Sequence, residues 1–277
     1  MNTRDILARV NEIAELAYKG DAPLPVGRAI SALRDDLESS LRLEMAASKG
    51  TLNATKTVNA MLAEVRKSGR EALSYAWIDE QGRQCACDGY RAYRLTEHLP
   101  LEPRPDNAAE PLDLDKIMPD IACGMYAAVS LPSVSDLRAY IAVERAKIAH
   151  IPAKRRPAIY YDLGDGSPVV NAQYLLDMLA VFPDAAVIFC NVSSTGRRAP
   201  LVIRSERGDG LLMPCSTPEK AEQLAAHFTA AGQRVKDYPL PEGTTPTEYA
   251  RRTLRESSSK AIEPDVFAAC LDMIAVA

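Results

Sequence analysis

Apolar positions near the start of the chain recur at steps of three and four: Ile6, Leu7, Val10, Ile13, Ala14 and Ala17. That spacing matches the helical period and predicts an amphipathic helix. Gly20 and the run 21–25 should end it, because Pro23 and Pro25 lack the amide a helix interior needs. A second stripe follows in Val26, Ile30, Leu33, Leu37 and Leu41 and runs toward Gly50. Residues 1–50 therefore read as a helical hairpin that packs on the rest of the molecule or pairs with a second copy.

The texture changes at residue 51. Residues 58–69 form another short amphipathic stretch closed by Gly69. Leu73, Tyr75 and Trp77 then alternate with polar or small residues, the period of a strand with one buried face. Residues 79–82 have turn composition, and 83–95 read as the return strand, so 71–95 is predicted to be a β-hairpin. The segment 99–121, with prolines at 100, 103 and 105, is a connector. Beyond it, 126–132 reads as a strand and 133–150 as a helix opened by a Ser133 cap with Asp136 three residues on.

The stretch 157–215 alternates more regularly. A strand at 158–163 is followed by a Gly-rich turn holding Asp162, Gly164, Asp165 and Gly166, read as a hairpin turn and not as a calcium loop. A helix near 172–182 buries Leu175, Leu176, Met178, Leu179 and Phe182, and three short strands come after it. One helix followed by several strands thus occurs twice, begun in 58–95 and more complete in 172–215. Short strands with tight turns make the sheet mostly antiparallel and the class α+β. The expected organisation is a helical hairpin at 1–50, a half-domain at 51–98, the connector at 99–121, a domain at 122–215 and a mostly helical extension at 216–277. Within that extension, 216–232 and two later segments should be helical, with a strand at 233–243.

Composition narrows the function classes. The chain is 47% hydrophobic and 25% charged, which excludes wholesale disorder. A net charge of −4 excludes a uniformly basic nucleic-acid coat but leaves room for a local basic patch. The charged N-terminus does not read as a signal peptide, and no run is long and apolar enough to span a membrane. Six cysteines in a chain of 277 residues do not make a disulfide scaffold, so a cytoplasmic, reducing setting is expected. Cys85 and Cys87 share one strand face and read as core packing, not as metal ligands. The three histidines lie far apart, and no nucleophile elbow or Gly-rich phosphate loop is present. An enzyme built on Asp88, Tyr90, Arg91 and His98 is the weakest reading; no catalytic residue, metal or cofactor is expected. Basic residues gather at Lys56, Arg66, Lys67 and Arg70, at Arg145 (with Arg138 and Lys147), at Lys154, Arg155 and Arg156, and at Arg197 and Arg198.

Four stretches carry a resemblance: 72–95, with its Cys87-Asp88-Gly89-Tyr90-Arg91-Ala92 run; 112–119; 169–189; and 199–215, which holds Leu211, Met213 and Pro214. In that order they resemble the β subunit of bacterial DNA polymerase III, the sliding-clamp family, over about residues 51–215. The resemblance implies a clamp-like fold and a non-catalytic processivity or tethering role. It implies contact with duplex DNA through phosphates, without sequence preference. It also implies a pocket for a short linear peptide of a polymerase or other replication protein, carried here by Gly89, Tyr90, Arg91, Ala92, Lys116, Ile117, Leu211, Met213 and Pro214. Expected DNA contacts are Lys56, Arg66, Lys67, Arg70, Arg145, Lys154, Arg155 and Arg156. The chain departs from the family in having Tyr90 where a histidine is usual, Leu112 where a proline is usual, and no Lys or Arg in 172–182. The alternative is a clamp-fold protein–protein interaction module that does not touch DNA, with a homodimer formed through the N-terminal hairpin.

Overall fold

The computed structural model describes residues 3–19, 24–164, 166–193, 198–256 and 263–276. Two antiparallel helices, α1 (Thr3–Lys19) and α2 (Leu24–Ser48), form the predicted hairpin. Helix α3 (Leu52–Lys67) follows after Gly50 and buries Ala54, Val58, Met61, Leu62 and Val65 on one side. Its continuation is a three-stranded meander: β1 (Trp77–Ile78), β2 (Gln84–Cys87) and β3 (Arg91–Leu95), each antiparallel to the next.

The second half repeats this plan. Strand β4 (Tyr126–Ser130), helix α4 (Val134–Lys147) and the pair β5 (Tyr160–Asp162) and β6 (Val169–Asn171) come between. Helix α5 (Ala172–Val181) then leads into β7 (Val187–Asn191), β8 (Leu201–Ser205) and β9 (Gly208–Leu212). The seven-stranded sheet has the order β1-β2-β3-β9-β8-β7-β4. Leaving out β4, it is palindromic: each unit is a helix plus three strands, and the two units join through their last strands, β3 and β9. Residues 51–98 and 122–215 thus contribute to one continuous, wholly antiparallel sheet.

Strand alternation sorts the side chains onto two faces. Tyr93, Leu95, Ile188, Leu201, Ile203 and Leu212 pack under α3, α4 and α5 in the main core. Leu175, Met178, Leu179 and Phe182 of α5 are all buried there, and Leu176 is half-buried against it. The opposite face holds a smaller core of Trp77, Cys85, Cys87, Ala92, Val202 and Leu211, closed by Leu114 from the connector. Cys85 and Cys87 are therefore core residues, as their spacing implied. Asp115 fixes the connector above this face, accepting from Arg83 at 2.8 Å and from Arg94 at 2.5 Å.

Local capping follows the sequence. The Ser133 hydroxyl accepts from the Asp136 amide at the start of α4, and Asn171 caps α5. Helices α6 (Pro218–Asp237), α7 (Pro246–Glu256) and α8 (Pro264–Ala275) form a third cluster with Met125 and Val192.

Three expectations need correction. Residues 71–95 are not one hairpin: Glu71–Leu73 is a helical turn, the strand before the 79–82 turn is two residues long, and the supposed return strand breaks at Asp88–Tyr90. The early break arises because the Arg70 carbonyl accepts from the Leu73 amide and the Ser74 hydroxyl, closing a turn where alternation predicts extension. The strand expected at 158–163 is confined to Tyr160–Asp162. The strand expected at 233–243 is absent, because Gln233–Asp237 complete α6. Leu224, Ala231 and Val235 recur at helical spacing along α6, which packs on α8, so Gly232 does not end the helix. Of the turn residues, Asp165 and Arg197 lie outside the described residues.

Candidate peptide-docking site and basic surface

The β2–β3 turn is built by Asp88 and Gly89. The Asp88 carboxylate accepts from the amides of Tyr90 and Arg91, both at 2.8 Å, which closes the turn on its own side chain. Gly89 has φ 86°, the left-handed region that a side chain disfavours. The Arg70 guanidinium donates to the Asp88 carbonyl at 2.5 Å and lies over the Tyr90 ring at 5.9 Å.

The turn sends consecutive side chains in different directions. Arg91 is buried beneath α5, ion-paired with Asp88 at 3.0 Å and with Asp177, and lies 4.4 Å from the Tyr174 ring centroid. Ala92 goes to the other face, in contact with the core that includes Leu211 and Leu114. Tyr90 points outward, is 55% exposed and meets Tyr174 with ring centroids 6.1 Å apart. Asp88, Arg91 and Asp177 therefore satisfy one another, and His98 is bonded away from them to the Gly82 carbonyl at 2.8 Å.

Met213 joins this surface from β9. Its amide donates to the Tyr90 carbonyl at 2.8 Å, and its side chain is 37% exposed. From there Pro214, Cys215 and Ser216 form one wall of a cleft of about 290 Å³, with Pro168 beside them. Lys220, Ala221 and Leu224 of α6 form the opposite wall, and Arg198 is exposed at the rim. The Lys220 ammonium is tied down by Asp162 at 2.5 Å and by the Gly164 carbonyl at 2.9 Å, so the apolar lining stays open without a loose buried charge. Helix α6 flanks Met213 and does not cover it.

Of the residues expected to form one pocket, Gly89, Tyr90, Met213 and Pro214 come together at this surface. Arg91, Ala92 and Leu211 are buried and support it from within. Lys116 and Ile117 lie on the connector, on the side of the sheet opposite Arg91. Lys116 is paired with Asp113 at 3.1 Å and lines a second cleft of about 480 Å³ with Trp77, Ile78, Glu80 and Glu110. Ile117 is exposed. Sequence reasoning misses Tyr174, Asp177, Pro168 and Leu224. For Tyr174 and Asp177 the available signal is their i, i+3 spacing, which puts both on one side of α5 facing a nearby arginine.

The expected DNA-contacting residues are all exposed, but they differ in how they are engaged. Arg66 pairs with Glu102 at 2.6 Å, and Arg70 serves the Asp88 turn. Arg156 caps the carbonyls of Ala149 and Ile151. Lys56 and Lys67 on α3, Arg145 on α4, and Lys154 and Arg155 after it form no ion pair among the described residues. Helix α5, between α3 and α4, contributes no cation.

Thiol chemistry is suppressed in the core. Burial pushes the Cys85 thiol up to about 12, and the nearby Asp79 carboxylate adds to it; burial does the same to Cys190. Among the described residues no group of three or more histidine, cysteine or carboxylate side chains is arranged to hold a metal, and no helix is long and apolar enough to cross a membrane.

The chain matches no protein-family model, and no curated protein or solved structure is measurably similar to it.

Proposed function

We propose that this protein is a non-catalytic, clamp-like tethering module that docks a short linear peptide of a partner, such as a replication protein, at the Tyr90–Met213 surface. The observation that carries this reading is the hydrogen bond that joins Tyr90 to Met213 beside an open apolar cleft. An exposed aromatic, a flexible thioether and an apolar groove suit the Leu and Phe side chains of an extended peptide. The twofold plan of helix plus three strands fits the clamp resemblance of the sequence. The all-free cysteines fit a reducing, cytoplasmic setting.

Duplex DNA is the second partner in this reading. Lys56, Lys67, Arg145, Lys154 and Arg155 supply sequence-independent phosphate contacts. The alternative, a protein-interaction module that does not bind DNA, is favoured by one observation: Arg66, Arg70 and Arg156 are already engaged within the chain.

Hydrogen–deuterium exchange with a peptide ending in Gln-Leu-x-Leu-Phe tests the docking site. Protection should fall on 89–91 and 213–224. Protection confined to other segments, or none at saturating peptide, overturns the assignment.

A further inference from the structure

The N-terminal hairpin carries an apolar face that nothing else among the described residues covers. Helices α1 and α2 pack on each other, and α2 meets the body through α3. Across both helices the buried apolar side chains are Val10, Ala14 and Ala46 alone among the described residues. Ile13, Val26 and Leu33 are 54%, 46% and 49% exposed.

These three residues share a side. Val26 and Leu33 are seven residues apart, nearly two full turns, so they lie on one line of α2. The half-buried Ile30, Leu37 and Leu41 lie next to that line and face α1. On α1, buried Val10 and Ala14 face α2, and Ile13 is rotated off the seam in the same sense as Val26 and Leu33 are on α2. Because the helices are antiparallel, equal rotations about each axis bring both open edges to the same face of the hairpin.

We propose that this face binds the same face of a second copy, so that two hairpins close into a four-helix bundle about a twofold axis. Such a bundle buries the stripe of every helix, which a lone hairpin cannot do. The charge pattern selects a second copy. From Leu24 to Arg34, α2 carries Arg28 and Arg34 and no acid; from Asp35 to Ser48 it carries Asp35, Asp36, Glu38 and Glu44 against Arg42, with Arg34 also 3.5 Å from Asp35 and 3.8 Å from Glu38 where the two halves meet. Antiparallel twofold pairing sets each basic half against the partner's acidic half. The area is also sufficient. With 17 and 25 residues, the helices are roughly 25 and 37 Å long, and side by side they present on the order of 500–600 Å². Two copies then bury about 1,000–1,200 Å², near the lower bound for a specific interface. This pairing is independent of peptide or DNA binding.

Light scattering and sedimentation equilibrium of the full chain test it. The expected mass up to about 100 μM is twice the 30.2 kDa of one chain. Leu33→Glu should return the protein to a monomer, and Leu33→Ala, a milder change at a half-exposed site, should weaken dimerisation about tenfold or more. Ile78→Glu, at an exposed position on β1, should leave the dimer intact. A wild-type monomer at the highest concentration overturns the proposal. So does a dimer that survives both Leu33 substitutions, or one abolished by Ile78→Glu instead.

Discussion

Tyr93 and Gly210 face each other across the β3–β9 pair, where the two repeated units meet. Both positions lie on the helix side of the sheet, and the missing side chain of Gly210 is what makes room there. A Cβ at Gly210 would come within 2.6 Å of the Phe182 ring and 3.0 Å of the Met178 sulfur. Phe182 instead fills that space and meets the Tyr93 ring at 6.0 Å. The join between the units is therefore set by one large and one absent side chain.

Gly210→Ala should destabilise the protein by about 1–3 kcal/mol through overpacking, since the surrounding core has no slack. Urea unfolding would measure it, and Phe182→Leu should relieve part of the cost in the double variant. Additive losses would mean that Phe182 is not the neighbour that matters.

The buried Arg91 gives a second expectation. Arg91→Met leaves the Asp88 and Asp177 carboxylates without their guanidinium, and breaking such a buried pair costs about 3–5 kcal/mol. Adding Asp177→Asn should recover part of this, because one of the two stranded charges is removed. Thermal unfolding of the single and double variants checks the order.

Much of this organisation is legible in the residues. The stripes at 6–17 and 26–41 form α1 and α2, Ser133 caps α4, and the repeated pattern of helix then strands forms the two halves of one sheet. What is not legible depends on packing between distant segments. The join of β3 to β9 is long-range pairing that no local pattern encodes, so 51–98 and 122–215 read as separate units. Nothing in the local sequence marks Arg91 as buried, because Asp177, its partner on α5, is 86 positions away. Motif order groups Lys116 and Ile117 with Met213, but strand alternation puts the connector on the opposite face of the sheet from Arg91.

Thiol labelling should separate the cysteines by burial. Cys85, Cys87, Cys190 and Cys270 are buried and should resist a disulfide reagent at pH 8, while the half-buried Cys123 and Cys215 react. With Cys85 and Cys190 both pushed up to about 12 by burial, neither should supply thiolate at that pH while the sheet stays closed. Unfolding in guanidinium should release all six. Rapid native labelling of Cys85 would contradict the packing of the sheet's outer face.

DNA binding, measured by anisotropy with unrelated duplexes, should be weak, independent of sequence and steeply dependent on salt. Neutralising Lys56, Lys67, Lys154 and Arg155 together should flatten the slope of log K against log salt by up to about one unit for each phosphate that no longer meets a cation. Neutralising Arg66 and Arg156, which are engaged within the chain, should change it less. No binding at low salt would move the reading to the protein-interaction module.

The most direct measurement is a calorimetric titration of a peptide ending in Gln-Leu-x-Leu-Phe into the wild-type protein and Met213→Asp. Met213 is more than one-third exposed, so the substitution should leave the unfolding temperature nearly unchanged while placing a carboxylate in the apolar wall of the cleft. Saturable binding in the micromolar range is expected for the wild type, with at least a tenfold loss in the variant. Equal affinity for both proteins, or no binding to the wild type, would contradict the docking assignment.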